Sequence, residues 1–235
     1  MHSNRYIFIY SIIMVLVVAV ALTIVAIQLK PAQENNIRIE KMQNILASVN
    51  VVATPKEAQS KYEKIIVGST VTDVKGADVE GIKAFDVDLA LELKKPVEKR
   101  HYPVYIAVTE SGDTNYIFQL RGKGLWGPIW GYISLKSDMN TINGVMFDHK
   151  GETPGLGAEI NTPFFQNPFK NKQIFDEKGE FTSIQIVKGG AREDDIHGVD
   201  AISGGTITSK GVEHMIHDCL KDYIAFINNH KTKKQ

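Results

Sequence analysis

Residues 200–209, Asp200-Ala201-Ile202-Ser203-Gly204-Gly205-Thr206-Ile207-Thr208-Ser209, place two adjacent glycines and several hydroxyls directly before a helical pattern. Neighbouring glycines let the backbone approach a ligand, and the free N–H groups and positive dipole end of the following helix favour an anion. The chemistry this spacing suits is the seating of a phosphate. The helix is legible in Val212, Met215, Ile216, Cys219, Leu220, Tyr223, Ile224 and Ile227, which follow the i, i+3, i+4, i+7 rule. A Ser-Gly-Gly-Thr turn before a helix is more often a loop and N-cap, with Thr208 or Ser209 capping, so the phosphate reading needs a second kind of support.

Three separated stretches supply it. Asp200-x-x-Ser203-Gly204-Gly205-Thr206 resembles the flavinylation signature Asp-x-x-Ser/Thr-Gly-Ala-Thr, departing from it in having Gly at 205. Gly124-Leu125-Trp126-Gly127-Pro128-Ile129-Trp130-Gly131-Tyr132 and Gly151-Glu152-Thr153-Pro154-Gly155-Leu156-Gly157-Ala158-Glu159 resemble the two other segments that recur in FMN-binding domains of this kind. With the apolar N-terminus, the chain is similar over nearly its whole length to the C-subunit family of sodium-translocating NADH:quinone reductases. The resemblance implies that Thr206 carries FMN as a phosphoester, formed by a separate flavin transferase using FAD. Asp200, Ser203, Gly204 and Gly205 belong to the recognised signature. Leu125, Trp126, Glu152, Thr153, Gly155 and Leu156 are implied to surround the flavin: Trp126 or Trp130 against the ring, Thr153 and backbone groups hydrogen-bonding it, Leu156 over a face, and Glu152 fixing its loop through backbone N–H groups. Thr208 and Ser209 are the fallback attachment sites, although the spacing from Asp200 selects Thr206.

Other chemistries have less behind them. Gly122-Lys123-Gly124-Leu125-Trp126-Gly127 matches Gly-x-Gly-x-x-Gly, but Pro128 and a strand-like run follow where a dinucleotide site needs a helix. His214 and His217 share a helix away from its apolar stripe, and no ligand cluster completes a metal site. Cys219 is the single cysteine, which rules out an internal disulfide and a self-contained iron–sulfur cluster. With 27 basic and 27 acidic residues the chain has no net charge, and no basic patch points to nucleic acid. Lys188 to Arg192 and Arg121 to Lys123 are the cations available to a phosphate or a reduced flavin.

The elements that must position these residues begin with an anchor. Tyr6 to Leu29 contains no Asp, Glu, Lys, Arg or His and is long enough to cross a hydrocarbon core of roughly 30 Å, too long for a signal-peptide core. Lacking acids, it reads as an anchor rather than an ion path. Arg5 precedes it while Lys30, Arg38 and Lys41 follow, so the positive charges do not favour an external C-terminus. The resemblance instead implies a flavin domain on the periplasmic face of the bacterial inner membrane. Residues 31–66 read as a membrane-proximal segment: helix-like spacing from Pro31 to Val49, then a capping-box start at Thr54-Pro55-Lys56-Glu57. In residues 67–235, Tyr102–Thr109 with Asn115–Leu120, and Trp130–Lys136 with Asn143–Asp148, read as antiparallel pairs, and Phe181–Val187 as a further strand. The expected class is α+β: a transmembrane helix of residues 1–30, then a largely antiparallel-sheet FMN-binding domain with flanking helices.

Function in this reading is electron carriage through covalent FMN, inside a complex whose other subunits complete the NADH:ubiquinone reaction and sodium export. The runners-up are the homologous G subunit of the Rnf complex, against which Gly124-Leu125-Trp126 speaks, and a membrane-anchored binding or scaffolding protein without redox chemistry.

Overall fold

A computed structural model of the chain describes residues 3–232. It resolves into two compact units, one ending at Lys41 and the other beginning at Met42. Helix α1 (Asn4–Ser48) runs unbroken through Pro31, so the boundary at residue 30 marks a change of composition rather than of secondary structure. Its apolar side chains from Tyr6 to Leu29 are exposed, and it is long and apolar enough to cross a membrane. The Thr23 hydroxyl is satisfied within the helix, donating to the Ala19 carbonyl at 2.8 Å.

The second unit is built on five strands: β1 (Ile66–Thr72), β2 (Tyr102–Val108), β3 (Thr114–Lys123), β4 (Pro128–Lys136) and β5 (Ile142–His149). They form an antiparallel meander in the order β1-β2-β3-β4-β5. Both expected strand pairs are present, whereas β1 carries no clear alternation in sequence. The Gly122–Gly127 stretch is a tight β3–β4 hairpin, closed by the Gly124 N–H on the Gly127 carbonyl at 2.8 Å, and no βαβ unit follows it.

Side chains alternate across this sheet, and both faces are covered. One face presents Tyr116, Phe118, Leu120, Ile129 and Ile133 to the long C-terminal helix α5 (Thr206–Thr232). There Phe118 packs edge-on against Tyr223 (ring centroids 4.9 Å apart), whose hydroxyl donates to the Pro103 carbonyl at 3.0 Å. The helix lies close because two glycines leave it room: a Cβ on Gly122 would sit 2.7 Å from the Met215 Cβ, and one on Gly211 2.5 Å from the Lys123 carbonyl oxygen. Cys219, a packed thiol on this apolar stripe, is pushed up to about 12 by burial.

The opposite face presents Tyr105, Ile117, Tyr132 and Ser134, all buried. The last turns of α1 belong to this layer: Met42, Ile45 and Leu46 are buried, and the Ser48 carbonyl accepts the Ser134 hydroxyl at 2.5 Å. Asn50, at φ +63°, turns the chain out of the helix and donates to the Asn143 carbonyl at 3.0 Å. Helix α2 (Ala58–Ile65) follows a turn in which Glu57 accepts both the N–H and the hydroxyl of Thr54.

The short helices α3 (Leu89–Glu92) and α4 (Pro163–Gln166) lie in the connections. Strands β6 (Gln185–Val187) and β7 (Gly198–Asp200) pair in parallel, a separate ribbon feeding the start of α5. The strand expected over Phe181–Val187 is thus confined to its last three residues, because Phe181 is drawn into an isolated bridge and ring contact with Phe175.

Candidate flavin site

Asp200 closes β7, residues 201–205 turn, and α5 starts at Thr206 itself. Gly204 sits at φ +74°, which a glycine adopts without strain, and a Cβ there would fall 2.7 Å from the Leu156 side chain. The Gly205 carbonyl accepts the Ser209 N–H at 2.9 Å, the first hydrogen bond of the helix. The amides of Thr206, Ile207 and Thr208 come before it, at the end of a helix where N–H groups have no intrahelical acceptor.

The hydroxyls of this turn have different fates. Ser209 is fully buried, donates to the Gly205 carbonyl at 3.0 Å and accepts the Ile202 N–H at 3.1 Å. Thr208 is buried and donates to Glu152 Oε2 at 2.5 Å. Neither is the N-cap expected from the sequence, since the helix begins ahead of both. Thr206 is half-buried, and among the described residues its side chain has no hydrogen-bond partner.

Two clefts meet at Gly204 and Thr206. The first, about 270 Å³, brings the three sequence segments together: Leu125 and Trp126 from the β3–β4 hairpin, Glu152, Thr153 and Leu156 from the loop after β5, and the start of α5. Leu125, Trp126, Leu156 and Ile207 leave apolar surface open around it, Trp126 most of all at 70% exposed. The second cleft, about 420 Å³, is lined by Lys188, Gly189 and Gly190 together with Asp200, Ser203, Gly204 and Thr206. Asp200 shapes it by accepting the Ala191 N–H at 2.7 Å, which ties down the glycine loop.

Glu152 joins the three segments. Its Oε1 accepts the Trp126 N–H at 2.9 Å, its Oε2 the Thr208 hydroxyl, and its own N–H donates to His149 Nδ1 at 3.2 Å. Burial works to raise its carboxyl, but the Thr208 hydroxyl and the amides of Trp126, Gly127 and Leu125 outweigh it, and the group lies below the usual glutamate range. Two glycines make room for it, for a Cβ on Gly124 would lie 2.5 Å from Oε1 and one on Gly157 2.6 Å from Oε2.

Of the residues anticipated, Gly155 lines neither cleft; at φ +73° it turns the loop, its N–H on Glu159 Oε1 at 3.0 Å. Trp130 stays in β4 opposite Arg121, so Trp126 is the tryptophan at the cleft. Sequence reasoning missed Gly157 and Ile207 as lining residues and Thr208 as the partner of Glu152. Nothing local signals a pairing across 56 positions.

The FMN-binding domain family matches residues 124–221, the span from the hairpin to α5. The Na(+)-translocating NADH-quinone reductase C-subunit of Haemophilus ducreyi is 35% identical over 219 residues, covering 87% of this chain and 83% of that protein. This chain belongs to the C-subunit family of Na(+)-translocating NADH-quinone reductases. The Pseudomonas aeruginosa C-subunit is 31% identical over 93% of both chains. The solved C-subunit from Parabacteroides distasonis is 46% identical with a TM-score of 0.78, covering 85% of this chain and 96% of that one. The Shewanella oneidensis structure is 30% identical with a TM-score of 0.73, covering 83% of this chain and 98% of that one. These matches favour the quinone-reductase reading over the Rnf and scaffold alternatives.

Proposed function

We propose that this chain is the flavoprotein subunit of a membrane NADH-quinone reductase and carries FMN on Thr206 through a phosphoester. The observation that carries the attachment is the contrast among three neighbouring hydroxyls: those of Thr208 and Ser209 are buried and engaged, while that of Thr206, at the junction of the two clefts, has no partner among the described residues. The donor set fits the cofactor. Amides without an intrahelical acceptor and a hydroxyl at a helix N-terminus suit a phosphate, and apolar surface on Leu125, Trp126, Leu156 and Ile207 suits an aromatic ring.

In the modification, the Thr206 oxygen forms a P–O bond to the FMN half of FAD as the anhydride bond to AMP breaks, and the threonine proton passes to a base of the flavin transferase or to solvent. When bound, FMN supplies electron transfer in single steps; the protein fixes where it sits and what surrounds it. Asp200 holds the Lys188–Gly190 loop beside Thr206, where Lys188 offers a cation to the phosphate. Glu152 keeps hairpin, loop and helix in one cleft. Helix α1 anchors the chain in the inner membrane with the flavin unit on the periplasmic face, among the other subunits of the complex.

The chain produced with a flavin transferase shows flavin absorption in the blue and remains fluorescent on a denaturing gel, and Thr206→Ala loses that fluorescence. A wild-type chain without covalent flavin under those conditions refutes the proposal. A reporter fused after the last residue is active only outside the cytoplasm; cytoplasmic activity reverses the orientation.

A further inference from the structure

Glu152 is the one charged side chain among the described residues that line the Leu125–Thr208 cleft. A buried carboxylate is costly unless its oxygens are bonded, and here both are. The partners are a hydroxyl and backbone N–H groups, none of which carries a compensating charge. Gly124 and Gly157 flank its oxygens so closely that a Cβ on either would lie 2.5–2.6 Å from them. The protein therefore holds a fixed, net negative charge in the wall of this cleft, where an uncharged Gln could keep the Trp126 N–H on its oxygen while the Thr208 hydroxyl turns to accept from its amide, and would bring no charge.

We propose that Glu152 lowers the reduction potential of the flavin by holding this charge beside it. The inference rests on the reading that FMN on Thr206 lies in this cleft. Each arriving electron adds negative charge to the cofactor, and a like charge nearby in a poorly hydrated wall raises the free energy of the reduced form. The flavin becomes a stronger electron donor to the next carrier. Glu152 is thus a potential-setting residue as well as the latch between segments, and the two roles separate by mutation. Thr208→Val breaks the hydroxyl bond and keeps the charge; Glu152→Gln keeps the shape and removes the charge.

The experiment is a spectroelectrochemical titration of the full chain in detergent, produced with its flavin transferase, following the visible flavin bands. Glu152→Gln shifts the balance towards reduced flavin about tenfold at a fixed applied potential, equivalent to about +59 mV for a one-electron step. Thr208→Val gives no upward shift. Thr153→Glu, which adds a second carboxylate at the edge of the same cleft, shifts the potential down and keeps the test decisive if Glu152→Gln does not fold. A flavin-loaded Glu152→Gln chain with the wild-type potential, an equal upward shift in Thr208→Val, or an unmoved potential in Thr153→Glu overturns the inference. A wild-type chain that acquires no flavin instead overturns the function on which it rests.

Discussion

Gly157→Ala is the substitution that tests the architecture of the cleft most sharply. The added Cβ would lie 2.5 Å from Thr208 Oγ1 and 2.6 Å from Glu152 Oε2, atoms already joined by a 2.5 Å hydrogen bond. Glu152 cannot retreat, because Gly124 packs behind its other oxygen and the Trp126 N–H holds that oxygen at 2.9 Å. Overpacking of this kind costs about 1–3 kcal/mol, and losing a hydrogen bond to a charged group about 1.5–3 kcal/mol. The two overlap, so a loss of roughly 2–4 kcal/mol is expected, or a fall of roughly 5–15 °C in melting temperature for a unit of this size. Thermal melts of the full chain in detergent, followed by circular dichroism, measure it. Gly151→Ala is the internal control: no atom lies within 4 Å of its Cβ position, and its melting temperature stays at the wild-type value. A Gly157→Ala protein melting within about 2 °C of wild type would refute the claim that Glu152 and Thr208 form a tightly packed latch.

Two further outcomes follow from the same geometry. Because the folded Glu152 carboxyl lies below its ordinary value, the stability it contributes is present above the unfolded glutamate pKa of about 4.3 and is lost as pH falls through the folded value, so Glu152→Gln flattens the acid limb of a melting-temperature profile. A chain beginning at Met42 folds, whereas one beginning at Asn50 loses Ile45 and Leu46, both 0% exposed, and is destabilised by more than about 4 kcal/mol in chemical denaturation.

What was legible in the sequence had a local physical signature. The apolar, turn-bounded runs of β2 to β5 and the 3.6-residue stripe of α5 come from the need to bury these elements in the core, and both appear where expected. The charge-free run of α1 is equally direct. β1 was illegible because its Gly68 and Ser69 interrupt any alternation, and its pairing with β2 carries an irregularity at that point. The covering of the second sheet face by the end of α1 was hidden too, since helix-like spacing from Pro31 onwards says that a face is apolar without saying what it meets. At the site, the three glycine-bearing segments were visible as composition, and the structure brings them to one cleft. The hydroxyl contrast was not visible. Spacing from Asp200 singles out Thr206, but nothing in the sequence says that Glu152, 56 positions from Thr208, engages that hydroxyl and that the helix start engages Ser209.

Everything proposed for the flavin hangs on the chemical bond at Thr206, and peptide mass spectrometry tests that bond directly. Protein produced with a competent flavin transferase is digested, and the peptide spanning residues 200–210 is sequenced by fragmentation. An FMN mass increment on Thr206 is expected, with Thr208 and Ser209 unmodified. An adduct on either of those hydroxyls, or a stoichiometric flavin retained by denatured Thr206→Ala, would contradict the assignment.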